Sequence, residues 1–577
     1  MESHRIQVGQ ASGLEPYAPQ VEATLADLTK RDAASRIWAK DPSLWKSDAD
    51  HQKIIRNSLG WLTVMATVRQ HASGLARFAV EVNQRGFRHV LLLGMGGSSL
   101  CPDVLRLTFG EAAGFPKLAV LDTTDPASVR AFEQSVDLPH TLFIVASKSG
   151  TTPEISAFYQ YFFARVRGFK GERAGEQFVA ITDAGTPLER TGAEAKFRHV
   201  FANPSDIGGR YSALSFFGMV PATLIGLDVL RMLDRAEQMA AACRSKMSAR
   251  ENPGVWLGGV MGSLAKAGRD KLTFVCSPAI ASFGYWVEQL IAESTGKEGT
   301  GILPVEGEAM GDGGVYGDDR VFVYLKLLSS EDQDLDAKVK ALERAGHPVV
   351  RIGLQDHYDL GAEFFRWEFA TAVAGAVIGV DPFDQPNVQE SKDNTRRLLG
   401  EFKAKGRLPE GDPIFTDAAV RLYGDAASAA ALRGAKSLAD ALRAHLDRIR
   451  LHDYVALTAY LQALPTHAEI LGTIRLHIRD RFHVATTLGY GPRFLHSTGQ
   501  LHKGGGDNGV FLQFTADDPV DLPIPGEPHG FGAMKAAQAL GDLQSLQSRK
   551  RRALRIHMAG GVEAGLRRVL EAMAGTR

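Results

Sequence analysis

The segment Ala292-Glu293-Ser294-Thr295-Gly296-Lys297-Glu298-Gly299-Thr300-Gly301 follows a run, Phe283 to Ile291, that is apolar at 283, 286, 287, 290 and 291. That spacing puts one apolar stripe on a helix. Gly296 is placed to end the helix, so Glu293 falls in its last turn beside the stripe. Apolar surroundings and the negative end of the helix dipole both oppose a charge there. A carboxylate held this way suits a general base. The alternative is a solvated glutamate at a frayed helix end.

Two loops suit an anion. Gly94-Met95-Gly96-Gly97-Ser98-Ser99 directly follows the apolar run Val90 to Leu93. Glycines after a parallel strand let backbone N–H groups approach an anion, and the next helix N-terminus favours it. The pattern is not G-x-G-x-x-G, so a dinucleotide is not indicated. Ser147-Lys148-Ser149-Gly150-Thr151-Thr152-Pro153-Glu154 follows the run Leu142 to Val145. Pro153 fits the first helical position with Thr152 as N-cap. Hydroxyls and a lysine then converge on a helix N-terminus, a favourable place for phosphate. Both loops lie at the carboxyl ends of strands, where α/β folds bind ligands.

Three further motifs carry polar groups. Gly208-Gly209-Arg210-Tyr211-Ser212 offers a close backbone approach and a planar guanidinium for an oxyanion, or a surface ion pair. In Phe383-Asp384-Gln385-Pro386-Asn387-Val388-Gln389-Glu390-Ser391-Lys392, Pro386 suits a helix start. Gln385 and Lys392 lie two turns apart on one face. Leu495-His496-Ser497-Thr498-Gly499-Gln500-Leu501-His502 offers two histidines six apart, which is not metal spacing on a helix. Either could shuttle a proton or be structural.

The elements that must position these groups are short, uninterrupted apolar strands alternating with helices. Strands are expected at 90–93, 118–121, 142–145 and 178–181, then at 272–275, 321–327, 349–352, 454–460, 483–487 and 510–514. Runs of this kind indicate parallel sheets covered on both faces, a doubly wound α/β fold. We expect a helical segment at 1–48 and a first α/β domain at 49–248. A second is expected at 249–530 with a helical insertion at about 401–450, followed by a helical segment at 531–577. The basic run Arg549 to Arg552 is expected on a solvated helix face.

Composition narrows the classes. The chain has 577 residues, with 66 Lys+Arg against 66 Asp+Glu, so no net field draws it to nucleic acid or an anionic membrane. Three scattered cysteines, Cys101, Cys243 and Cys276, form no CxxC, which argues against a disulfide framework or zinc site and fits a reducing cytoplasm. No signal peptide is evident, and the apolar run Phe369 to Val380 is too short to span a bilayer.

Taken together, GMGGSS, SKSGTT, GGRYS, ESTGKEGTGI, FDQPNVQESK and LHSTGQ resemble the phosphoglucose isomerase family over most of residues 90–515. The arrangement is similar to the isomerase half of transaldolase–phosphoglucose isomerase fusions. The resemblance implies two sugar isomerase (SIS) domains and a cytoplasmic enzyme of glycolysis and gluconeogenesis. That enzyme would interconvert glucose 6-phosphate and fructose 6-phosphate through a cis-enediolate, with no cofactor and no metal. It implies that Ser98, Ser147, Lys148, Ser149 and Thr152 hold the phosphate, while Gly97, Thr151, Gly209 and Gln385 line the substrate site. Glu293 would move the proton, Arg210 would stabilise the enediolate, and His496 and Lys392 would assist ring opening. It also implies a homodimer in which the histidine reaches the partner's site. One feature departs from the family: the histidine segment follows both the glutamate and lysine segments instead of lying between them, which leaves His502 as a rival. A regulator that only binds sugar phosphate would need the two loops but not Glu293, Lys392 or His496.

Overall fold

In a computed structural model that describes residues 7–244 and 247–574, the strands form three sheets. The first is entirely parallel, in the order Lys117–Leu121, His89–Leu93, Thr141–Ala146, Phe178–Asp183, His199–Asn203. Alternate residues of its second strand serve opposite faces. Val90 and Leu92 join one apolar cluster, while Leu91 and Leu93 join another. This is why the run is uninterrupted. The chain visits strand 89–93, steps to 117–121 on one side, then returns to 141–146 on the other. The GMGGSS and SKSGTT loops therefore leave the carboxyl ends of adjacent strands, where the strand order reverses.

The second sheet has the order Gln10–Ser12, Val349–Leu354, Arg320–Leu327, Lys271–Cys276, Leu303–Val305. All its pairings are parallel except that of Gln10–Ser12, which closes one edge antiparallel within the segment expected to be helical. Helix Leu360–Ile378 is buried along most of its length between this sheet and helices Val229–Arg244 and Pro253–Lys266. Gly258 and Gly262 allow that contact, since a Cβ on either would fall 2.6 Å from the Cβ of Val373 or Val377. A single apolar cluster runs through the first two sheets and the N-terminal helices.

The strands expected to continue the second sheet form a sheet of their own. Its order is Phe415–Thr416, Val420–Gly424, Arg552–Met558, Gly509–Ala516, Tyr454–Tyr460, Ala485–Tyr490, with the last four mutually parallel. The single domain expected at 249–530 is corrected accordingly. Residues 401–450 are not wholly helical, since they contribute the two short antiparallel strands. Residues 531–577 hold strand Arg552–Met558 between two helices. That strand is not an uninterrupted apolar run, because Arg555 and His557 alternate with Leu554, Ile556 and Met558, and Arg552, Arg555 and His557 are nonetheless buried. Of the basic run Arg549 to Arg552, expected on a solvated helix face, Arg549 and Lys550 are exposed just past the helix end, whereas Arg551 and Arg552 are buried. Arg551 donates to the Lys503 and Gly505 carbonyls, and Arg552 pairs with Asp453.

The three sheets are tied by polar as well as apolar contacts. Arg320, fully buried in the second sheet, donates to Glu308 Oε1 at 2.9 Å, and Glu308 Oε2 accepts from Thr486 Oγ1 of the third sheet at 2.8 Å. Phe531 stacks on Phe158 of the first unit with ring centres 5.9 Å apart. Among the described residues, no helix is long and apolar enough to cross a membrane.

Removing one member of a buried ion pair leaves the other uncompensated. Arg320→Leu should therefore destabilise the protein by about 3–5 kcal/mol in urea unfolding. Adding Glu308→Leu should restore part of that loss, because the unpaired carboxylate is then gone.

Candidate active site

Helix Phe283–Thr295 buries Phe283, Trp286, Val287, Leu290 and Ile291, the stripe expected from the spacing. It ends at Gly296, whose N–H bonds the Ala292 carbonyl. Glycine is required there because a Cβ would fall 2.3 Å from Leu501 Cβ. Glu293 is thus fixed in the last turn at 7% exposure. Its Oε1 lies 3.5 Å from Arg210 Nη1, and its Oε2 accepts from Gln289 Nε2 at 3.1 Å. The carboxylate is not at a frayed end.

Arg210 is 2% exposed. Its Nε donates to Ser294 Oγ at 2.7 Å, and its Nη1 donates to Gln385 Oε1 at 2.9 Å. Its Nη2 donates to the Pro382 and Asp384 carbonyls at 2.7 and 2.9 Å. The turn that carries it is pressed against the first loop. A Cβ on Gly97 would fall 2.0 Å from the Gly209 carbonyl oxygen, and Ser212 Oγ donates to the Gly97 carbonyl at 3.3 Å. These glycines are therefore sites of close backbone approach.

A second buried cation was not singled out in the sequence. Lys297 Nζ donates to the Asp381 and Asp384 carbonyls at 2.7 and 2.6 Å and to Asp384 Oδ1 at 2.5 Å. Together Arg210 and Lys297 hold loop 381–385, which delivers Gln385 to the site. Burial first, then the Arg210 charge, pushes Lys297 down to about 8, with Asp384 and Asp381 opposing. Burial and Asp384 push Asp381 up to about 6.

His496 reaches the same place from the third unit. Its carbonyl accepts from Gln289 Nε2 at 2.7 Å, and its Nε2 lies 3.2 Å from Glu154 Oε1. A Cβ on Gly96 would fall 2.9 Å from His496 Cβ, and Gly96 sits at φ +57°, a conformation that favours glycine. Glu154 is buried in the first turn after SKSGTTP, and it also accepts from Gln538 Nε2 at 2.7 Å. Burial raises its carboxyl, but the neighbouring imidazole outweighs this, so it is held below its ordinary range. Lys392 lines the cavity formed by Glu154, His496, Leu495, Ser391 and Gln538. His502 lies among Tyr454, Phe494 and Phe511 with Nδ1 2.9 Å from Tyr454 Oη, and burial keeps it well below the ordinary histidine range. It takes no place in that cavity.

In the second loop, Ser147 Oγ lies 3.1 Å from Thr152 Oγ1 and accepts from the Gly150 N–H at 3.1 Å. The Thr152 hydroxyl makes no capping bond to helix Pro153–Lys170, which leaves first-turn donors facing the loop. Ser149 and Thr151 are exposed and bonded to each other. Lys148 is turned aside, paired with Asp183 and bonded to the Ser205 carbonyl. Ser98 is buried in the short turn Gly96–Ser98.

The chain matches the phosphoglucose isomerase family over residues 64–302. Residues 64–302 form a phosphoglucose isomerase domain. The matched span holds both loops, Arg210 and Glu293, and it stops before Gln385, Lys392 and His496. A glucose-6-phosphate isomerase of Rubrobacter xylanophilus is 29% identical over 388 residues, 58% of this chain and 87% of that protein. A probable glucose-6-phosphate isomerase of Methanococcus maripaludis is 28% identical over 361 residues, 55% of this chain and 81% of that one. Among solved structures, a glucose-6-phosphate isomerase from Chlamydia trachomatis superposes with a TM-score of 0.53 at 19% identity, covering 68% of this chain and 87% of that one. A hypothetical protein from Thermus thermophilus gives a TM-score of 0.55 at 22% identity, covering 68% of this chain and 99% of that one. These two likenesses bear on fold alone.

In this isomerase domain, Gly97→Ala forces the GMGGSS loop off the GGRYS turn. The displacement should lower kcat/KM by about 100-fold with the circular dichroism spectrum retained. Lys297 is charged below about 8 and neutral above it, and the charged form grips loop 381–385 more strongly. The groups facing it are Arg210, Asp381 and Asp384, with His51 Nε2 3.7 Å from Asp384. Turnover should fall as pH rises through about 8, and Lys297→Met should remove that alkaline limb. A limb at the same pH in the variant would assign it to another group.

Proposed function

We propose that the chain interconverts glucose 6-phosphate and fructose 6-phosphate, with Glu293 moving the proton between C1 and C2. The observation that carries this reading is Gln289, whose amide nitrogen bonds both the Glu293 carboxylate and the His496 carbonyl, while Arg210 stands 3.5 Å from the same carboxylate. One side chain thus ties the Glu293 carboxylate to the backbone of the histidine segment, and the carboxylate faces a fixed cation.

In the open-chain aldose, Glu293 removes the C2 proton. The C–H electron pair becomes the C1=C2 bond, and the carbonyl pair moves onto O1. Arg210 faces the charge that develops on the enediolate oxygens, and being already fixed it needs no reorganisation as that charge appears. Glu293 returns the proton to C1, the O2 hydroxyl loses its proton as the ketone forms, and O1 gains one. Before this, His496 passes a proton to the ring oxygen as the C1 hydroxyl gives one up. Glu154 Oε1 orients the imidazole through His496 Nε2. Lys392 lies at the same cavity and offers a further donor. The first-turn donors after SKSGTT, with Ser98, Ser147 and Thr152, suit the phosphate. Lys148 would have to leave Asp183 to join them. A homodimer, as the resemblance implies, would not need to exchange His496, since each chain brings its own to Glu154.

The test is a coupled assay of fructose 6-phosphate conversion to glucose 6-phosphate with EDTA present. Glu293→Gln should leave sugar-phosphate binding nearly intact and lower kcat by about 100-fold or more. Comparable turnover in that variant would sink the assignment. His496→Ala should slow cyclic substrate more than open-chain substrate, and His502→Ala should show no such selectivity. The reverse pattern would move the role to His502.

A further inference from the structure

The third unit does more than deliver His496. Its helix Phe531–Ser548 lies across the first unit, with Leu522, Ile524, Phe531 and Met534 built into the apolar cluster of the first sheet. From that helix the Gln538 side chain, 2% exposed, enters the site. Its Oε1 accepts from Thr124 Oγ1 at 2.7 Å and its Nε2 donates to Glu154 Oε1 at 2.7 Å. Because the Glu154 carboxylate only accepts, the amide has one orientation, with its nitrogen toward the carboxylate and its oxygen toward the Thr124 hydroxyl. One turn earlier, Lys535 Nζ pairs with Asp125 at 2.8 Å and Asp518 at 2.5 Å. The second unit is gripped as well. Gln500 Nε2 donates to the Gly296 carbonyl at 3.0 Å, its Oε1 accepts the Asn387 N–H at 2.9 Å, and the Gly299 N–H bonds the Gly504 carbonyl at 2.9 Å.

We infer that the third unit completes the isomerase site within its own chain, with Gln538 positioning the Glu154–His496 pair, so that a single chain is a full catalytic unit. The geometry is specific. Glu154 Oε1 receives both the Gln538 amide and the imidazole, so the amide fixes the oxygen on which the imidazole is aligned. The docking contacts are buried and polar on both flanking units. Such contacts cost free energy when broken, because each partner is then left unpaired. The unit is therefore held in place, not lent to a neighbour. The inference rests on the isomerase reading above.

The test is to co-express Glu293→Gln and His496→Ala chains carrying different tags, then assay the mixture and any doubly tagged species. A site complete in one chain gives no turnover above the two variants alone. A site shared between chains gives one intact centre in each mixed dimer, hence about a quarter of wild-type turnover, and that recovery would overturn the inference. Turnover per wild-type chain should also stay constant on dilution through the monomer range. Gln538→Leu should lower kcat about tenfold with KM within about twofold, and should shift the acid limb of the pH profile. An unchanged kcat and pH profile would take the role from Gln538. A wild-type chain with no isomerase activity would overturn the underlying reading instead. Activity restored by mixing would overturn this inference alone.

Discussion

The site depends on the saturation of one guanidinium. Arg210 has five N–H donors, and the structure gives them Ser294, Gln385, two backbone carbonyls of loop 381–385 and the Glu293 carboxylate. A fully buried cation is costly unless every donor is met. Meeting them draws helix Phe283–Thr295, the GGRYS turn and the start of helix Pro386–Lys405 to one point. The longest of these contacts is the one to Glu293, at 3.5 Å. The four shorter bonds fix the group, and the Glu293 carboxylate is the partner it holds least closely. On the isomerase mechanism proposed above, the cation is in position before charge develops, the condition under which fixed electrostatics lowers a barrier.

The histidine obeys a different constraint. Its segment comes after the lysine segment in the chain, from a third sheet whose four parallel strands run from 454 onward. Contact needs only that the Leu495–His496 turn arrive beside Gly96, Gln289 and Glu154, and not that it arrive in any particular order along the sequence. The third unit meets that need by burying Phe531 and Met534 in the first unit and Leu501 against Gly296. The glycines at 96 and 296 mark where this packing is closest. Seen from the fold, they are the imprint of the third unit on the first two.

Much of the site was legible because the chemistry sits in contiguous motifs. The spacing before Glu293 gave the helix and its buried stripe, and the glycines of GMGGSS and GGRYS marked close approaches that the backbone contact between Gly97 and Gly209 explains. Three things were not legible. Glu154 lies inside a motif chosen for its hydroxyls, and nothing local says that a carboxylate in the first turn will face a residue 342 positions away. Lys297 reads as a solvated lysine after a helix, and only loop 381–385 folding over it shows otherwise. Gln538 sits in an ordinary amphipathic helix, where a glutamine carries no signal. In the fold, the third sheet was merged with the second because strands announce their type but not their neighbours. The antiparallel strand Gln10–Ser12 and the short strand Leu303–Val305 close the edges where 454–460 would have had to join.

The same physics accounts for the strand that was missed. In Arg552–Met558 every residue is buried, yet three are cationic or titratable. Arg552 meets Asp453, Arg555 lies over the Tyr423 ring with its carbon 4.0 Å from the centroid, and His557 Nδ1 lies 3.1 Å from Thr515 Oγ1. Each charge is tolerable only because a partner arrives from a distant part of the chain. A strand built this way shows the alternation of a half-buried strand, Leu554, Ile556 and Met558 against Arg555 and His557, and its burial on the second face is licensed by tertiary contacts and not by composition. Glu154 and Lys297 are buried on the same terms. The residues hardest to see in the sequence are therefore the ones whose charge has been matched across units. Those matches, more than the apolar strands, bring the parts of the site together.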